Sequence, residues 1–84
     1  MKIHKDIEYL IREHTRYVMD IEKQSLSGNT RCDYEKLIRH LFVSILTHIW
    51  VLETNQVLTK FEADFHWKYV EKVRDNLIAT YTSK

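Results

Sequence analysis

The side chains best suited to binding a metal ion are five histidines and one cysteine, and their spacing forms no known motif. His40 and His48 are eight positions apart, so on one helix they would share a side but stand about 12 Å apart. Cys32 and His40 have the same spacing. No two histidines are four positions apart, and His-Glu-x-x-His and Cys-x-x-Cys do not occur. We expect no metal and no cofactor, while a site assembled between helices from His14 with His48 or His66 stays an open alternative.

His14 is unusual because it stands between Leu10 and Tyr17 in an otherwise apolar row of residues. A histidine at such a position is most often a buried group that hydrogen-bonds to a facing hydroxyl or carboxylate. Two alternatives stay open. The ring could fix the register of neighbouring helices, as polar residues in apolar seams do, or it could respond to pH, because histidine ordinarily titrates near pH 6.5.

The residues give little basis for catalysis. Cys32 is predicted at the start of a helix, where the helix dipole lowers the pKa of a thiol, but no base or orienting residue accompanies it. Gly-x-Ser-x-Gly, P-loop and dinucleotide-binding patterns do not occur, and a single glycine cannot build a phosphate-binding loop. We predict that the protein is not an enzyme and has no small-molecule substrate.

The charge balance argues against a dedicated nucleic-acid-binding protein. Lysine and arginine total 13 against 12 acidic residues, a net charge of +1, whereas such proteins carry clustered positive charge. The alternative is a basic group at the start of the second predicted helix, formed by Arg31, Lys36 and Arg39, because recognition helices contact DNA with their N-terminal residues. Asp33 and Glu35 alternate with that group, so a solvated helix face is the better interpretation.

The apolar spacing predicts an all-α fold, an antiparallel three-helix bundle with helices at about 3–26, 31–54 and 60–81, in a single domain spanning 1–84. There is no proline and one glycine, so long helices are expected. Thr30 with Asp33, and Thr59 with Glu62, have the spacing of capping boxes at the second and third helices. Gly28 is suited to closing the first helix.

Each predicted helix has a row of core residues at helical spacing. In the first helix these are Ile3, Ile7, Leu10, His14, Tyr17, Ile21 and Gln24, and Ile11 and Val18 widen this row into a core face. In the second they are Tyr34, Leu37, Ile38, Leu41, Phe42, Ile45, Ile49 and Leu52. In the third they are Phe61, Phe65, Tyr69, Val70, Val73, Leu77 and Tyr81.

The stretch LFVSILTHIWVL, residues 41–52, carries more apolar surface than one core helix needs. A bilayer-spanning helix needs about 20 apolar residues, and this run is bounded by His40 and Glu53, so no membrane partner is expected. Exposed apolar patches mark interaction surfaces. We therefore expect a homodimer or a partner protein, with a monomeric core and half-exposed aromatics as the alternative. The predicted contact residues are Val43, Leu46, Trp50 and Trp67, with Tyr34 and Arg39 at a polar rim.

In size and helical make-up the chain resembles small bacterial or phage proteins, namely bacteriocin immunity proteins, two-component connectors and small anti-host or plasmid-control dimers. No motif is shared residue by residue, so no site residue is carried over. The lone cysteine is typical of a reducing compartment, and the N-terminus lacks a secretory signal pattern. We predict a cytoplasmic, homodimeric regulator or inhibitor that acts by binding another protein; the alternative is a helical nucleic-acid-binding regulator.

Overall fold

The computed structural model describes residues 2–26 and 33–82, and over these residues it consists of three α-helices without a β-strand. Helix α1 spans Lys5–Leu26, α2 spans Tyr34–Thr54 and α3 spans Lys60–Thr82. The molecule is elongated, with extents of 46 × 18 × 18 Å. The predicted all-helical class is confirmed, and the helix bounds differ from the predicted ones by at most three residues.

The core is centred on α2, which packs against both α1 and α3. Five α2 side chains are buried, at spacings of four or three residues that place them on one face of the helix. Among the residues that the structure describes, the fully or nearly buried apolar ones are Ile7, Val18, Ile38, Phe42, Ile45, Ile49, Leu52, Leu58, Ala63 and Val70. The predicted core face of α2 is therefore confirmed at Ile38, Phe42, Ile45, Ile49 and Leu52.

The rotation of α1 differs from the predicted seam at its C-terminal half. Val18 is fully buried, which confirms its predicted place on the widened core face, whereas Tyr17 is 52% exposed, so the placement of Tyr17 in the core row is wrong. A buried tyrosine needs a partner for its hydroxyl, and the apolar Val18 needs none. An α-helix also repeats every 3.6 residues rather than every 3.5, which carries a straight helix away from a strict heptad row.

The start of α3 is fixed by the capping box that the sequence predicts. The Glu62 backbone N–H donates to Thr59 Oγ1 at 3.1 Å, and the Thr59 N–H donates to Glu62 Oε1 at 2.9 Å. Leu58 and Ala63, at the two positions of a hydrophobic staple, are both buried. These contacts orient the first turn of α3 with Ala63 toward the core.

That orientation corrects the predicted core row of α3 at Phe61 and Tyr69, whereas the row is confirmed at Val70, which is buried, and at Val73, Leu77 and Tyr81, which pack against the core. Phe61 is 73% exposed and Tyr69 is exposed too, whereas Ala63, His66 and Val70 are buried. Phe61 precedes Ala63 by two residues, which is about 200° around the helix. Because the staple turns Ala63 inward, Phe61 must point away from the core.

Helix α2 begins later than predicted. Asp33 is the N-cap, and its carboxylate accepts the Lys36 backbone N–H at 3.1 Å. The interpretation of Asp33 as the third helical residue after a Thr30 cap is therefore wrong, because Asp33 itself satisfies the first-turn donor. Thr30, Gly28, Arg31 and Cys32 lie outside the described residues.

Helix α2 ends in the break expected around residues 53–58. Gln56 adopts a left-handed conformation, with φ of 63°. The Val57 N–H donates to the Leu52 carbonyl and the Gln56 N–H to the Glu53 carbonyl, at 2.9 and 3.0 Å. This is the hydrogen-bond pattern of a Schellman motif, in which glycine is the usual left-handed residue. The motif turns the chain toward the Thr59 cap of α3.

Candidate protein-interaction surface

Two tryptophans from different helices line one groove between the end of α2 and the start of α3. Trp50 of α2 is 60% exposed and Trp67 of α3 is 39% exposed. The groove has a volume of about 290 Å³. Its lining residues are Ile49, Trp50, Glu53, Lys60, Ala63, Asp64 and Trp67. The structure thus brings together the two predicted aromatic anchors, which lie 17 positions apart in the sequence.

Charged residues surround the aromatic part of this groove. Glu53, Lys60 and Asp64 are among its lining residues, and Lys68 Nζ pairs with Asp64 Oδ2 at 3.2 Å. Aromatic anchors within a charged rim are the usual composition of a protein-binding surface, because the rim excludes water from the centre.

Further exposed apolar residues lie on the same two helices. Val43 is exposed and precedes Trp50 by seven positions, close to two full turns, so both lie on one side of α2. Phe61 was missed as a surface residue because the sequence placed it in the core row; the Thr59–Glu62 cap is the signal that would have identified it. Leu46, by contrast, is half-buried and packs against the core, which leaves less of its side chain for a partner.

The predicted rim residues lie near the other end of α2. Tyr34 is half-buried and stacks on Tyr81, with ring centroids 5.3 Å apart. Arg39 is exposed and donates through Nε to Glu35 Oε2 at 3.1 Å. Tyr34 therefore contributes to helix packing, whereas the Arg39 guanidinium already has an anionic neighbour.

The basic residues of the nucleic-acid alternative are only partly described. Lys36 and Arg39 are exposed at the start of α2, and Arg31 lies outside the described residues. Asp33 and Glu35 line the same shallow surface as Lys36 and Arg39. The described part of this surface is thus of mixed charge.

His14 takes the position expected of a hydrogen-bonded, partly buried histidine. Its Nδ1 lies 2.8 Å from the Leu10 carbonyl, to which it donates, and its Nε2 lies 3.0 Å from Ser44 Oγ. The predicted bond to a facing hydroxyl is confirmed, and this bond joins α1 to α2. His14 also lines a second groove, of about 480 Å³, with Tyr17 and His40.

His66 is the fully buried histidine, and sequence reasoning missed it. It is 1% exposed, its Nδ1 donates to the Glu62 carbonyl at 2.6 Å, and its Nε2 accepts the His4 backbone N–H at 2.8 Å. The available signal was its spacing, three positions after Ala63 and four before Val70. Because His66 is polar, it was not counted in the apolar spacing from which the core row of α3 was predicted.

A third cluster lies between α1 and α2. Asp6 Oδ2 is 3.5 Å from His48 Nε2 and 3.9 Å from His4 Nδ1. His48 Nε2 is buried without a hydrogen-bond partner. Across residues 2–26 and 33–82, no group of three or more histidine, cysteine, aspartate or glutamate side chains is arranged to hold a metal ion. His14 and His66 use both ring nitrogens in separate hydrogen bonds, so they do not form the shared site considered as an alternative.

Helix α2 is long and apolar enough to cross a membrane by length and composition alone. Only 33% of its apolar 18-residue stretch is buried within the protein. Leu37, Leu41 and Leu46 are half-buried against the core, and the large apolar side chains of α2 that remain exposed are Val43, Trp50 and Val51.

No protein-family model matches this chain, and no match was found among the curated proteins or the solved structures. Its function is therefore argued from its own residues.

Proposed function

We propose that this protein is a non-enzymatic protein-binding module that forms a homodimer and acts in the cytoplasm as a regulator or inhibitor of another protein. The observation that carries the proposal is the groove that Trp50 and Trp67 line from two helices. Tryptophan is among the residues most enriched at the energetic centres of protein interfaces. An exposed pair within a charged rim is best explained as a surface that a partner covers.

The proposed monomer is an antiparallel three-helix bundle. Contacts that support it pair rising residue numbers on one helix with falling numbers on the next. Between α1 and α2 these are Asp6 with His48 and His14 with Ser44. Between α2 and α3 they are the Tyr34–Tyr81 stack and the groove that Trp50 and Trp67 share. Short connections between such helices favour the antiparallel arrangement. In this arrangement the end of α2 and the start of α3 lie side by side and form the groove.

A second copy of the chain is the proposed cover for this surface. A chain of 84 residues buries only roughly 60 to 65% of the surface that its unfolded form exposes, so small domains gain much from oligomerisation. Twofold dimers use the same patch on both subunits. Val43 and Trp50, on one side of α2, would then be buried against the partner together with Trp67.

The test compares Trp50→Glu with Tyr9→Glu by light scattering on a sizing column. Tyr9, on α1, is 59% exposed, nearly the same as Trp50 at 60%, so the two variants add the same charge at equal exposure on different helices. We expect Trp50→Glu to be a folded monomer by circular dichroism and Tyr9→Glu to stay a dimer. If both variants keep the dimer mass, the groove is not the interface.

Two further binding assays test the other classes of partner. Binding of the wild type to phospholipid vesicles, lost in Trp50→Glu, would assign the apolar side of α2 to a membrane surface instead. Duplex DNA affinity that falls steeply with salt would assign function to the basic start of α2. The alternation of Lys36 and Arg39 with Asp33 and Glu35 weighs against the second outcome.

A further inference from the structure

The buried ring of His66 is held by two main-chain groups from different parts of the chain. Nδ1 lies 2.6 Å from the carbonyl oxygen of Glu62, so it must carry a proton and donate. Nε2 lies 2.8 Å from the backbone nitrogen of His4, whose N–H can only donate, so Nε2 must be an unprotonated acceptor. The two contacts together fix the neutral ring with its proton on Nδ1.

His4 immediately precedes α1 and makes the first hydrogen bonds of that helix. Its carbonyl accepts the N–H groups of Ile7 and Glu8, and its own Nδ1 accepts the Asp6 N–H at 3.1 Å. The bond to His66 therefore joins the first turn of α1 to α3, across 62 positions of sequence. Helix α2 has extensive contacts with both α1 and α3, whereas α1 and α3 have few contacts with each other. The His4–His66 bond is therefore one of few connections between the start of α1 and α3.

We propose that the His4–His66 hydrogen bond is a pH-dependent latch, which opens when His66 takes up a proton at Nε2. The protonated ring has N–H groups on both nitrogens and no acceptor, so it faces the His4 N–H donor to donor. The start of α1 then separates from α3. The device is independent of the proposed self-association, since His66 is buried and lies outside the tryptophan groove.

The charged group beside His66 on its own helix is Glu62. The pKa of Glu62 is lowered, chiefly by hydrogen bonds from the backbone and side chain of Thr59 and to a smaller extent by the positive charge that His66 carries when it is protonated. The Glu62 carboxylate thus offers the protonated ring an opposite charge on α3. The ring edge is also packed against Phe65, which offers no acceptor.

On the side of α1 and α2, His4 contacts His66 through its N–H, Asp6 lies beside His4, and His48 lies beside Asp6. His48 Nε2 lies 3.5 Å from Asp6 Oδ2, so a protonated His48 forms an ion pair that holds α1 to α2. Protonation of His48 therefore strengthens the attachment of α1 to α2, while protonation of His66 breaks the hydrogen bond to His4. The expected acid form keeps α1 on α2 and frees its first turn from α3.

The experiment follows the wild-type protein by NMR from about pH 7.5 to about pH 5, which spans the ordinary titration of histidine. Ring resonances report protonation of His66, and amide hydrogen exchange, corrected for its intrinsic pH dependence, reports the latch. We expect exchange at the His4 amide, which donates the bond to His66, to rise on the order of tenfold as the ring takes up a proton, because that hydrogen bond is lost. Amides in the middle of α3 should change little.

Two variants make the comparison specific. His66→Gln keeps a neutral acceptor and does not titrate, so the pH-dependent rise in exchange should disappear. His40→Gln removes an exposed histidine outside the latch and should keep the full response. The proposal is overturned if exchange at the His4 amide stays constant while His66 takes up a proton, or if His66 takes up no proton by about pH 5. The wild-type comparison decides the matter even if His66→Gln fails to fold.

Discussion

Trp50 on α2 and Trp67 on α3 face the same groove, although both are large apolar side chains with much of their surface in water. The arrangement follows from the core. Ile49 and Leu52 are turned inward, so Trp50 between them points outward, and the buried His66 and Val70 leave Trp67 at the edge of α3. The stretch LFVSILTHIWVL thus has a buried side that packs in the core and an exposed side that carries Val43, Trp50 and Val51.

The two sides of α2 should respond differently to truncation. Phe42 is fully buried and Val43 is exposed. We expect Phe42→Ala to lower the free energy of unfolding by about 3 to 5 kcal/mol and Val43→Ala to change it by about 0.5 kcal/mol or less. Urea unfolding at low protein concentration measures both. Equal losses would show that the assigned core face is incorrect.

The capping box at α3 should contribute about 1 kcal/mol to the free energy of unfolding. Thr59→Ala removes the hydroxyl that accepts the Glu62 N–H, so the free energy of unfolding should fall by that amount. Thr47→Ala, at an exposed position inside α2, is the matched control and should raise it by about 0.5 kcal/mol, because alanine is the better helix former. Chemical denaturation of Thr59→Ala and Thr47→Ala measures whether the free energy of unfolding falls in the first variant and rises in the second.

Glu62 should make the protein less stable in acid. Its pKa is lowered below the ordinary value of 4.5 by the hydrogen bonds from Thr59. A carboxyl group with a lowered folded pKa adds stability above its unfolded pKa, and that stability is lost as the pH falls through the folded value. Between neutral pH and the acid side of 4.5, the urea midpoint of the wild type should therefore fall more than that of Glu62→Gln. Parallel midpoints for the two proteins would contradict the assignment.

Gln56 is the residue at which a glycine should stabilise the protein. A non-glycine residue in the left-handed conformation costs about 1 kcal/mol, and Gln56 has φ of 63°. We expect Gln56→Gly to raise the free energy of unfolding by about that amount. Asn55→Gly should lower it, because Asn55 has φ of −88° and its amide donates to the Val51 carbonyl. Thermal and urea unfolding of both variants check the contrast.

Much of the fold was accessible from the sequence because it depends on local signals. Thr59 and Glu62 predicted the start of α3, the break after Glu53 was expected, and the apolar spacing of α2 identified its buried face. These features involve residues within a few positions of one another. Propensity, capping and periodicity therefore determine them before any tertiary contact forms.

The burial of some α1 and α3 residues could not be predicted from such local signals. Phe61 and Tyr17 are apolar or aromatic at helical spacing, yet they face water, and the polar His66 takes a fully buried position. His66 is buried because the His4 N–H, 62 positions away, satisfies its ring. The spacing of His66 from Ala63 and Val70 fits the buried row, but the distant partner that satisfies its ring cannot be identified from the sequence. The tryptophan groove was predicted as two separate anchors, and only the packing of α2 against α3 joined them.

The most direct measurement of the central claim is the solution mass of the wild-type protein, by light scattering on a sizing column over a wide dilution series. The chain has a mass of 10.2 kDa. Self-association through the tryptophan groove predicts about twice that mass at micromolar concentration, falling toward 10.2 kDa on dilution. A mass of 10.2 kDa at every concentration, including the highest, would contradict the homodimer.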